Sequence, residues 1–132
     1  EAILAILTCI LVSFALLHLV KNNRASAHVI LFMLFAIQVI NAFYHIFFSF
    51  YFSDFSPGAI TAALLYLPVN FLIAQAAFRE GYLKSYFEYG CIAFLGTTTF
   101  VLFEIIGPLI IGLAIIFSLM YYFYFNKRLS NN

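Results

Sequence analysis

Residues 86–126 read YFEYGCIAFLGTTTFVLFEIIGPLIIGLAIIFSLMYYFYFN, and how this apolar run is divided decides the fold. As one helix it would reach about 60 Å, twice the roughly 30 Å hydrocarbon core of a bilayer. A charge, a glycine and a proline coincide at Glu104-Ile105-Ile106-Gly107-Pro108, the combination expected at a chain reversal. The run therefore divides into two spans, near 86–103 and 108–125. The alternative is one span followed by a re-entrant segment.

The cations favour two spans. All six Lys and Arg fall into the clusters Lys21/Arg24, Arg79/Lys84 and Lys127/Arg128. Three further apolar stretches, about 2–20, 27–52 and 58–78, precede the divided run. With five spans every cluster lies on one side of the membrane, and Glu1, Asp54 and Glu104 lie on the other. Basic residues beside span ends mark the cytoplasmic face. The expectation is an all-α, five-span bundle in one membrane domain, with its N-terminus outside and its C-terminus cytoplasmic. Four spans would place the last cluster outside.

Composition agrees. The 132 residues are 66% hydrophobic and 8% charged, with a mean hydropathy of +1.08. A soluble domain carries about 25% charged residues, so the expected partner is the lipid bilayer of a bacterial-type inner or cell membrane. A formal charge of +1 gives no reason to expect nucleic acid. The first run is too long for a signal h-region, and its basic residues follow it. The chain opens on Glu1 rather than Met, which reads as a processed product or a piece of a longer chain.

The second span begins the stretch HVILFMLFAIQVINAFYHIFFSFYFSDF, residues 28–55. Gln38, Asn41 and His45 follow at i, i+3 and i+7, one helical stripe. Polar groups at that depth need partners or a role. The third span adds Asn70, two residues after Pro68, a proline expected to kink the helix and free the carbonyl of Leu64. The fourth adds Thr97, Thr98 and Thr99. These seven are the candidate ligand site, with His45 and Glu104 the candidate proton or ion groups. Interhelical hydrogen bonding is the plainer reading of the layer. A hydrated transport site beside a proline-broken helix is the sharper one.

Other signals are weak. Cys9 and Cys91 lack metal or redox spacing and read as buried apolar thiols. His18 and His28 flank the first turn without a carboxylate or thiol partner, so no metal site or cofactor is expected. The aromatic runs 43–55 and 121–125 read as interfacial belts, and Ser56 before Pro57 reads as an N-cap. No HExxH, intramembrane aspartate pair or Gly-x-Ser-x-Gly elbow occurs. The span, basic turn and span layout resembles membrane input modules of bacterial sensor kinases, without a diagnostic motif. The expected function is a non-enzymatic sensing or binding module, or an accessory subunit with a protein partner or as a homo-oligomer. The alternative is a small transporter or channel.

Overall fold

The computed structural model describes residues 2–54 and 57–129. They form five helices: α1 (Ala2–Lys21), α2 (Arg24–Tyr51), α3 (Pro57–Arg79), α4 (Tyr86–Ile106) and α5 (Leu109–Leu129). No strand occurs among the described residues. Helices α2 to α5 are each long and apolar enough to cross a membrane. The 20 residues of α1 make about 30 Å of helix at 1.5 Å each, one hydrocarbon thickness. The chain is an all-helical membrane bundle. A re-entrant last segment is not formed, because α5 continues for 21 residues.

The helix ends shift in ways their chemistry explains. The second span starts at Arg24 rather than Ala27 because Asn23 caps it, its Oδ1 accepting from the Ser26 N–H at 2.8 Å. The first turn thus shrinks to Asn22-Asn23, with Asn22 at φ 48°, a conformation asparagine tolerates. Helix α4 continues past Phe103 to Ile106, so Glu104 lies in its last turn rather than in the reversal. Gly107 at φ 93° and Pro108 make that reversal alone. The expected Ser56 cap lies outside the described residues.

Helix α2 is the centre. Nine residues of its first eleven are buried, including Ser26, His28, Phe32 and Met33, and it touches each of the other four helices. A π-turn over Phe35–Val39 widens it midway. Gly96 of α4 sits against this turn. A Cβ there would come within 3.2 Å of the Ala36 nitrogen and of the Phe35 side chain. Helix α3 has its own π-turn at Ala62–Tyr66, in which the Leu67 N–H reaches the Ala62 carbonyl. The irregularity expected at Pro68 is taken up ahead of it, in this wider turn.

The outside of the bundle is apolar. Cys9 and Cys91 are exposed on it rather than buried. Lipid tails are as apolar as a protein core, so nothing drives a thiol inward. The run 43–52 also faces outward, with Phe47 stacked on Tyr51 and Phe48 on Phe52. Phe55 lies outside the described residues.

Candidate functional site

The midplane groups expected to form one polar layer are only partly joined. The Asn70 amide nitrogen donates to Gln38 Oε1 and to the Tyr66 carbonyl, both at 2.8 Å. That uses both of its hydrogens. Thr97, Thr98 and Thr99 each donate to the carbonyl four residues earlier, at Ala93, Phe94 and Leu95. Their hydroxyls are satisfied within α4. His45 lies on the exposed side of α2 beside Tyr44, and it makes no ion pair with Glu104 among the described residues. Asn41, Thr99 and Glu104 do share a site, an apolar cleft of about 240 Å³ near the hairpin, lined by α2, α4 and α5 with Leu7 of α1.

A denser polar cluster stands at the opposite end, built on three short-range devices. Helix α3 closes with Gly81 at φ 80°. There the Tyr82 N–H bonds the Ala77 carbonyl at 2.9 Å and the Gly81 N–H bonds Phe78 at 3.2 Å, a Schellman turn. The turn buries Leu83 and aims the Tyr82 carbonyl at α2. Helix α4 opens with Ser85, whose Oγ accepts from the Glu88 N–H at 3.1 Å while Glu88 Oε2 accepts from the Lys84 N–H at 2.8 Å. This reciprocal cap fixes the Glu88 carboxylate. The Asn22-Asn23 turn supplies the third part, with Asn22 accepting from the Tyr82 hydroxyl and Asn23 donating to Asn126 of α5 at 2.9 Å.

Arg24 and His28, one turn apart on α2, fill the space so framed. Arg24 Nε donates to the Tyr82 carbonyl at 3.2 Å, and Nη2 meets Glu88 Oε1 at 2.5 Å. His28 Nε2 lies 2.8 Å from the same carbonyl and 3.5 Å from Glu88 Oε1, and Nδ1 lies 2.7 Å from the Tyr121 hydroxyl. A carbonyl can only accept, so Nε2 carries a proton. In the neutral ring Nδ1 then accepts from Tyr121. The side chains of Arg24 and Glu88 are only 22% and 26% exposed, so the pair is largely desolvated. His18 is engaged separately, with Ser26 Oγ at 2.7 Å.

This cluster is the head of an open cleft of about 440 Å³. Arg24, Lys84 and Glu88 lie at its polar end, and Phe32, Ile92 and Phe117 wall its apolar part. Two of the five guanidinium donors of Arg24 are used in the bonds above, and Lys84 lines the opening. The arrangement can hold an anionic group beside a half-buried ion pair, with an apolar portion between α4 and α5. No group of three or more His, Cys, Asp or Glu side chains placed to hold a metal occurs among the described residues.

The sequence reading placed Arg24 and Lys84 in two of the basic clusters that set orientation, left Glu88 without a role, and took Tyr121 as a belt residue. Ser85-x-x-Glu88 was the signal that could have singled out the carboxylate. Nothing local in the sequence pairs it with Arg24, 64 positions away.

No curated protein and no solved structure matches the chain. A family model described as a protein of unknown function with HXXEE motif matches residues 1–73, which hold α1, α2 and most of α3. None of His18, His28 and His45 is followed by glutamates at the third and fourth positions, so no residue here takes the motif's place. With more than half of its length matched, the chain belongs to the HXXEE family.

Proposed function

We propose that the protein is a non-enzymatic membrane binding module whose ligand is an anionic amphiphile held in the cleft headed by Arg24, Lys84 and Glu88. One contrast carries this reading. The Asn70 amide hydrogens, the Gln38 carbonyl oxygen and the threonine hydroxyls are engaged in bonds inside the bundle, whereas Lys84 and the remaining Arg24 donors face an open cleft. A transport site needs hydrated midplane groups, whereas here Asn70 bonds Gln38 and the threonines bond within α4. A phosphate or carboxylate head would meet the cations, and its apolar part would lie along Phe32 and Phe117. In this reading the cleft end is cytoplasmic, because the described residues of all three basic clusters gather there. Any protein partner or second copy would meet the outward apolar faces.

Native mass spectrometry of the purified protein tests the ligand class. Hexadecanoate and hexadecyl phosphate should each be retained at one per chain, their ratio separating carboxylate from phosphate preference, and hexadecylphosphocholine should not be retained. Equal retention of all three would contradict the proposal. Orientation is tested by Asp54→Cys and Lys84→Cys, made in a chain without Cys9 and Cys91. Membrane-impermeant reagents should label them from opposite sides. Labelling from the same side would overturn the topology.

A further inference from the structure

The two clefts are successive stretches of one face. On α2 the first is lined by Arg24, His28 and Phe32, and the second continues from Phe32 through Ala36. On α4 Glu88, Ile92 and Leu95 are followed by Thr99 and Phe103, and on α5 Tyr121 and Ser118 are followed by Ala114. Steps of three and four keep each helix presenting one side to the same furrow. Phe32 lines both clefts, and its ring meets that of Phe117 edge-on at 6.2 Å. Phe32 thus stands where the two clefts meet, with Phe117 against it. Phe117 is 47% exposed, so its ring has room to turn outward.

We infer that the clefts are a single groove gated by Phe32 and Phe117, and that a long-chain anionic amphiphile bound at Lys84 and Arg24 threads its tail past this pair into the second cleft. The inference rests on the headgroup site proposed above. About 16 Å of helix separates Glu88 from Thr99 at 1.5 Å per residue, a run suited to an extended alkyl chain. The charges fix the direction. Cations stand at one end of the groove, while Glu104 at the other end repels an anionic head. Asn41 and Glu104 then form the rim at which the tail stops, so the groove selects chain length as well as charge.

The chain contains no Trp, so single tryptophans report on each cleft separately. Phe87→Trp marks the first and Phe103→Trp the second, with Phe100→Trp on the same wall should Phe103→Trp fail to fold. The probes are octanoate and hexadecanoate, each brominated at its terminal carbon and added to protein in detergent. The short probe should quench only the first-cleft reporter. The long probe should quench the second-cleft reporter saturably, and unbrominated hexadecanoate should reverse the loss. If the long probe quenches only Phe87→Trp, the groove ends at Phe32 and the inference is overturned while the headgroup site stands. If neither probe quenches either reporter, the headgroup site falls and the threading falls with it. Linear quenching that hexadecanoate does not reverse is detergent partitioning, and it too overturns the inference.

Discussion

The bundle has two polar regions, and they spend their hydrogen-bonding capacity differently. At midplane Gln38, in the π-turn of α2, accepts from Asn70 of α3, and the threonines bond back onto α4. At the polar-turn end Arg24, His28, Glu88 and Tyr121 form a network drawn from three helices around the Tyr82 carbonyl, and it opens into a cleft. In hydrocarbon an amide is stable once a partner is found. At the interface, with water and headgroups at hand, a partly satisfied cation can persist and wait for a ligand. The two regions therefore differ in how much of their polarity is left available.

The largest expected effect removes the close seat of α4 on α2. Gly96→Leu forces a side chain against Ala36 and Phe35 and should push α4 off α2, costing about 1–3 kcal/mol by overpacking. Thermal unfolding in detergent would read it. An unchanged midpoint would mean that α4 is not held by this approach. Glu88→Ala acts at one end only. It leaves Arg24 without its carboxylate in a largely desolvated position and should cost about 2 kcal/mol. A loss below a few tenths would show the pair to be solvated and the cleft head unbuilt.

Finer tests sharpen the contrast. Tyr121→Phe removes one hydroxyl from His28 and should cost about 1 kcal/mol, with the cleft otherwise intact. In a double-mutant cycle, Gln38→Leu and Asn70→Leu should show a coupling of about 0.6 kcal/mol, the usual size of a membrane interhelical bond. A coupling of several kcal/mol would make the midplane pair the organising contact instead. Thr98→Val should leave stability unchanged, since its hydroxyl bonds only within its own helix.

Much of this fold was legible in the residues. Hydropathy and length marked the five spans, and Gly107-Pro108 marked the reversal, because both signals act locally on the backbone. The basic clusters were expected on one side of the membrane, and Arg24, Lys84 and Asn126 stand at one end of the bundle. The site was less legible. Polar residues deep in apolar runs attract notice, yet Asn70 proves to be engaged by Gln38 and the Tyr66 carbonyl. Glu88 drew no reading from the sequence, and its meeting with Arg24 depends on how α4 docks on α2. The π-turns have no sequence signature beyond Pro68, and they place Gln38 and Gly96 where they meet their neighbours.

The central claim is that the cleft, and not the midplane pair, binds an anionic amphiphile. Titrating hexadecanoate into wild type, Lys84→Glu and Asn70→Leu in the same detergent tests it most directly. The account predicts that Lys84→Glu raises Kd roughly tenfold, the factor that about 1.4 kcal/mol represents, while Asn70→Leu leaves Kd unchanged. Loss of binding in Asn70→Leu with Lys84→Glu silent would contradict it.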